Sequence, residues 1–362
     1  MSLNIDIPFL HASKTSVQST DGSAGVYSIN ALSLDGLKTN TKYWVFARAG
    51  VKHSSATKTP VKVYLRDDSI NADVEEDRII TQSVGVREHQ SATQYQNYSF
   101  MRVITTGSRI SHPDGTTTIR MFAEGVPAEQ AADINVSHCY ISAIELTDLV
   151  EDVDYFYSEN TTETNLTTSY ADFASKTLDM ESNLYQDGDW MVAACSKVDI
   201  QSTANVRAKS RLSLVHGSTT TTPEVKNEGE DTNEFVSGVF GRVYSLARST
   251  ATTAVFKVQM ETGTTIPMHQ HEFSAVFGLR ISSFPVSASD FDATHTQTSA
   301  TGYTASNAQT TIDNQSDDYE AMVFGMAIFD GEATGRSVRY QINIDPQDDG
   351  SDQDVFDSGS IS

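Results

Sequence analysis

Short alternating runs dominate the chain. Val61–Arg66 (VKVYLR) and Thr116–Gly125 (TTTIRMFAEG) switch between apolar and polar at every step or nearly so, the period of two expected of half-buried strands. Long stretches of helical period are missing, and Thr, Ser, Val, Tyr and Phe fill the runs, residues that suit a pleated, half-covered surface. Turn dipeptides punctuate them at Asp21-Gly22, Asp114-Gly115, Asp187-Gly188 and Asp330-Gly331. In SHPDGTTT, Pro113 presets φ and Gly115 is free to adopt positive φ, so the segment predicts a hairpin turn. One short helix is expected, at Val126–Ile134 (VPAEQAADI). The pattern predicts an all-β chain.

The runs recur in order. Phe100-x-Arg102-Val103 returns as Phe240-x-Arg242-Val243, Arg120 with Glu124-Gly125 as Lys257 with Glu261-x-Gly263, and KYWVFARAGV (from Lys42) as GDWMVAACSKV (from Gly188). The strand HCYISAIELTDL (from His138) corresponds to EFSAVFGLRISSF (from Glu272). Four pairs in the same order, each about 140 residues apart, mark an internal duplication. Residues 1–150 and 151–284 then read as two copies of one antiparallel β-sandwich, most simply a jelly roll. Trp44 and Trp190 fall at corresponding places in apolar strands and are expected in the cores. The pairs Arg120/Glu124 and Lys257/Glu261 are expected as surface ion pairs.

A third, partial copy is expected over 285–362. Tyr303 and Tyr319 repeat the spacing of Tyr27 and Tyr43, and DYEAMVFGMAIFDGEATGRSVRYQINI reads as a β-hairpin like those that open the first two copies. An acidic tail, DPQDDGSDQDVFDSGSIS, follows where a second half would stand. Ala321–Phe329 is apolar on both faces, as in a strand covered on each side, and a two-stranded hairpin needs such cover. Met322, Phe324, Ile328, Tyr340 and Ile342 are therefore the candidate assembly residues.

The order of an aromatic-led strand (YWVFARA, DWMVAA), an Arg-Val strand, a TTIRM-type strand and a closing ISAIEL strand resembles tumour-necrosis-factor/C1q-like jelly-roll modules of accessory virion proteins in tailed viruses. The resemblance implies two complete jelly rolls and one partial, a structural role in capsid decoration, head fibre or tail, and a homo-oligomer, favouring a trimer, bound to other virion proteins. The alternative on the same scaffold is a carbohydrate- or receptor-binding adhesin.

Charge narrows the partners. With 25 Lys+Arg against 48 Asp+Glu, the formal net charge of −23 opposes binding to nucleic acid or to an anionic membrane surface. Two cysteines, Cys139 and Cys195, are too few for a disulfide scaffold, and their apolar runs predict buried thiols. MSLNIDIPFLHASK lacks the basic and apolar regions of a signal peptide, so synthesis in a host cytoplasm and delivery within a virion are expected.

Candidate chemistry is sparse. His269-x-His271 would place two imidazoles on one strand face, where an ion could be shared, but a strand-edge or subunit-contact role is the stronger expectation. Asp345 and Asp349 with Gly350 fit three positions of a calcium loop. Phe356 stands where the bidentate Glu belongs, so an EF-hand is rejected. The acidic group Asp67, Asp68, Asp73, Glu75, Glu76 and Asp77 is expected to be solvated or ion-paired. No nucleophile elbow, phosphate loop or H-E-x-x-H occurs. The sequence thus predicts a non-enzyme without a cofactor.

Overall fold

Alternating strands must bury one face each, and two sandwiches do this here with four sheets in two pairs. The structure is a computed structural model. It describes residues 8–20, 28–53, 59–71, 79–80, 84–89, 96–125, 133–182, 184–200, 207–228, 234–263, 269–283, 341–344 and 353–357. The first sandwich holds β1 (Phe9–Lys14), β2 (Gln18–Ser19), β3 (Ser28–Lys38), β4 (Lys42–His53), β5 (Thr59–Asp67), β6 (Val84–His89), β7 (Gln96–Thr105), β8 (Thr116–Gly125) and β9 (Ile134–Glu145). Its sheets run β1-β9-β4-β7, with β2 also on β9, and β3-β8-β5-β6.

The second sandwich holds β10 (Tyr155–Asn160), β11 (Thr164–Asn165), β12 (Ala171–Asp179), β13 (Gly188–Ile200), β14 (Arg207–His216), β15 (Ser218–Glu228), β16 (Glu234–Leu246), β17 (Thr253–Thr262) and β18 (Gln270–Arg280). Its sheets run β10-β18-β13-β16, with β11 on β18, and β12-β17-β14-β15. Strand for strand this is the order of the first sandwich, and it is the jelly-roll order.

That topology corrects the expected opening hairpins. β4 pairs with β7 and β9, whereas β5 pairs with β6 and β8, so the chain crosses between sheets from β4 to β5. The Asp114-Gly115 turn behaves likewise. Gly115 has φ +88° and Asp114 accepts from the Thr116 N–H at 3.1 Å, but β7 and β8 on either side belong to different sheets. A period of two shows which residues share a face; it does not show which strand lies alongside.

Register also relocates one tryptophan. Phe100 lies opposite Ala47 and Phe240 opposite Ala194, so the two phenylalanines are equivalent and both face their sandwich cores. Val103 then lies opposite Trp44, while Val243 lies opposite Met191. Trp190 matches Tyr43, one residue away from the expected pairing. Trp190 is sealed in the second core beside Phe156, whereas Trp44 is on the outer face of its sheet. The one-residue slip puts them on opposite faces.

β19 (Gln341–Ile344) pairs antiparallel with β20 (Gln353–Asp357). Part of the expected acidic tail is therefore a strand, centred on the apolar Val355-Phe356. Residues 284–340, with Met322, Phe324, Ile328 and Tyr340, lie outside the described residues. So do Asp345, Asp349 and the span 126–132 of the expected helix; Ile134, at its end, begins β9.

The second core depends on one glycine. Gly278 lies opposite Phe156 on β10, and a Cβ there would sit 2.1 Å from the Phe156 ring. Gly278→Ala should therefore cost about 1–3 kcal/mol through overpacking. Thermal unfolding checks it: Phe156→Leu added to Gly278→Ala should recover part of the loss, and an additive double variant would exclude the clash.

Candidate functional site: the seam between the sandwiches

The sheet β10-β18-β13-β16 is covered on both faces. Inward go Phe156, Trp190, Val192, Ala194 and Val276; outward go Met191, Ala193, Cys195, Phe273, Ala275, Phe277 and Leu279, all buried. The outward set shares one apolar cluster with the first sandwich, meeting Trp44, Met101, Phe46 and Val103 on the outer face of β4 and β7. Trp44 stacks on Phe277 with centroids 4.3 Å apart and planes 8° from parallel. Burying a ring of roughly 200 Å² at about 25 cal/mol/Å² contributes about 5 kcal/mol. The short connection after β9 is itself hydrogen-bonded, with Leu149 N–H donating to the Leu146 carbonyl and Asp154 N–H to that of Val150. Two sandwiches thus share one apolar interface.

Polar groups fasten its margins. Arg102 on β7 grips Glu159 on β10 through Nε (2.9 Å) and Nη2 (2.8 Å), while Nη1 donates to the Ile80 carbonyl at 2.8 Å. Hydrogen bonds from Arg102 and Tyr157 hold the Glu159 carboxyl below the usual range, against the opposing effect of burial. At another margin Lys42 reaches the Tyr155 hydroxyl at 3.3 Å and Glu151 at 3.5 Å. Buried charge enters this face at Lys197 and Asp199. Lys197 is buried on β13, in line with Met191, Ala193 and Cys195, and desolvation pushes its ammonium down to about 8 despite Glu272 and Asp199 nearby. A lone lysine in MVAACSKV was the available sequence signal for it. Burial also pushes the Cys139 and Cys195 thiols up to about 12, so both stay protonated at neutral pH.

The sequence candidates are placed as follows. His271 is fully buried; its Nδ1 meets the Thr162 carbonyl at 2.8 Å, its Nε2 meets Ser274 Oγ at 3.0 Å, and its ring stacks on Phe173. Both nitrogens are occupied by protein groups, and burial lowers its pKa, which favours the neutral ring. His269 is buried just ahead of β18, its carbonyl accepting from Leu166. Among the described residues no three His, Cys, Asp or Glu side chains group as metal ligands. Asp67 is fully buried and accepts from Ser69 N–H (2.8 Å) and Gly107 N–H (3.3 Å), which corrects the expectation of a solvated group for this member. Asp68 takes Arg66 (3.1 Å) and Arg120 (2.6 Å). Ile342 lies opposite Phe356 in the β19–β20 pair.

The two outer sheets present polar faces. On the first, Tyr64 and Phe122 are cross-strand partners with rings 5.4 Å apart, Lys62 lies 5.0 Å from the Tyr64 centroid and the Arg66 guanidinium 4.6 Å from that of Phe122. On the second, Arg211 lies over Tyr170 at 3.6 Å and bonds Gln259 at 2.9 Å, and Gln259 and Lys257 share Asp172. Arg120 and Lys257 therefore pair with Asp68 and Asp172 in place of Glu124 and Glu261, because cross-strand and loop carboxylates lie nearer than the same-strand ones. Partly exposed pairs of this kind contribute about 0–1 kcal/mol each.

Two measurements probe the seam. In a double-mutant cycle, Arg102→Met and Glu159→Gln should couple by about 0.5–3 kcal/mol; strict additivity would show the clamp to be idle. For Lys197 the folded pKa of about 8 lies below the usual 10.5. Below pH 8 both states are protonated and the folded one bears the whole cost of burying the charge. As pH rises from 8 towards 10.5 the folded chain releases its proton first, so stability should climb by up to about 3 kcal/mol. Denaturant unfolding of Lys197→Met should lack that climb; an identical pH profile would refute it.

No protein-family model matches the chain, and no curated protein matches it. Solved structures that resemble it include the tandem CBM22 domain of Xyn10C from Paenibacillus barcinonensis (9% identity, 75% of this chain and 92% of that one, TM-score 0.23). The VP2 subviral particle of infectious bursal disease virus also appears (9% identity, 77% and 72%, TM-score 0.26). A third is the insecticidal delta-endotoxin Cry8Ea1 of Bacillus thuringiensis (9% identity, 76% and 52%, TM-score 0.23). The likeness is one of β-sandwich architecture.

Proposed function

We propose that the chain is a structural component of a virus particle, acting through protein–protein assembly as a capsid decoration or as part of a tail, fibre or collar. The observation that carries this reading is the shared seam: two jelly rolls are fused through complementary apolar faces into one block, and its outer sheets are furnished with satisfied polar ladders. Such a block suits bearing contacts with neighbours, and it agrees with the sequence resemblance to accessory virion proteins of tailed viruses. The reading includes no reaction and no cofactor, and its partners are copies of itself and other virion proteins.

A glycan- or receptor-binding adhesin is the second reading. The Tyr64–Phe122 pair favours it, since a half-buried aromatic pair flanked by Lys62 and Arg66 on the outer face of a sheet offers apolar area and hydrogen-bond donors side by side.

Mass spectrometry of gradient-purified particles from cells carrying the native gene should find the chain in a fixed ratio to the major capsid protein. Its absence from the particles would defeat the assembly reading. A glycan array on the isolated protein separates the second: binding abolished by Tyr64→Ala supports it, and an empty array removes it.

A further inference from the structure

The seam occupies only part of the sheet face that forms it. Transverse rows across β1, β9, β4 and β7 read Phe9–Ile144–Trp44–Val103, then His11–Ser142–Phe46–Met101, both on the outer face. The second sandwich covers the β4–β7 end, where Trp44 and Met101 are 2% and 1% exposed. At the β1 end of the same rows Phe9 is 40% exposed and His11 is exposed too. Their rings continue in file with Tyr140, with centroid separations of 6.2 and 6.3 Å. In the second sandwich the equivalent strand β10 carries Tyr155 and Tyr157 at these positions, and there both pack into the seam.

We infer that the β1 flank, the exposed Phe9 and His11 backed by the buried Tyr140, is a contact surface for a second copy of this chain. It is continuous with an interface already formed on the same sheet face. Its counterpart on β10 is covered by a jelly roll of this very sequence, which identifies the kind of surface that fits. The outward positions of β1 and β9 in these rows (Phe9, His11, Ser13, Tyr140, Ser142 and Ile144) include no carboxylate, so two chains of net charge −23 can meet there without like-charge contact. Aromatic residues without acidic neighbours are typical of interface centres. The inference rests on the assembly reading above and names the face that would serve it.

The test is sedimentation velocity of the full chain over a range of concentrations. Wild type should form species heavier than the 39.5 kDa monomer, and Phe9→Asp with His11→Asp should return it to monomer with an unchanged melting temperature. Leu184→Asp, at a residue 64% exposed on the second sandwich, should leave assembly intact. A wild type that stays monomeric, a double variant that still assembles, or equal disruption by Leu184→Asp would each overturn the inference. The particle experiment is read separately: a chain found in particles whose double variant still self-associates keeps its virion role and loses this face.

Discussion

A sheet that is apolar on both faces cannot be left with one face in water, and the sheet β10-β18-β13-β16 is such a sheet. In GDWMVAACSKVDI the inward residues Trp190, Val192, Ala194 and Val198 fill the second core, while Met191, Ala193 and Cys195 point the other way and are equally buried. Cover for the second set comes from the first sandwich, whose β4 carries Trp44 and Phe46 on the matching side. The structured connection after β9, the stacking of Trp44 on Phe277 and the Arg102–Glu159 clamp all serve the same requirement. The two jelly rolls are consequently joined through one continuous apolar cluster.

The same two-sided burial explains what the sequence did and did not disclose. Where one face meets water, as in VKVYLR or TTTIRMFAEG, alternation identifies the strand and its inward residues, and these strands are where the pattern places them. Where both faces are covered, alternation vanishes, and the phase of YWVFARAGV against DWMVAACSKV is lost. Aligning the two tryptophans by identity then errs by one residue, and one residue is a whole face. Ladder pairing was likewise out of reach. Strands adjacent in sequence read as hairpins, but jelly-roll crossing sends β4 and β5 to different sheets. His271 illustrates a third limit. Its partners are Thr162, from a loop 109 residues away, and Ser274, past an irregularity of its own strand, and neither contact is visible in a motif of two histidines.

The outer sheets obey a different constraint, because solvent already satisfies them, and here the two copies diverge in an ordered way. Lys62 lies opposite Glu124 and Lys209 opposite Glu261; Arg66 lies opposite Arg120 and Ser213 opposite Lys257. Between these rows the first copy has Tyr64 opposite Phe122, and the second has Arg211 opposite Gln259. The rows of charge keep each face soluble and contribute little to stability. The central pair is freer to change, since neither core nor ladder depends on it. An aromatic pair beneath cations and a guanidinium–amide pair over a tyrosine present different chemistry on the same backbone. The two copies therefore keep the same rows of charge on their outer sheets and differ in the pair between them.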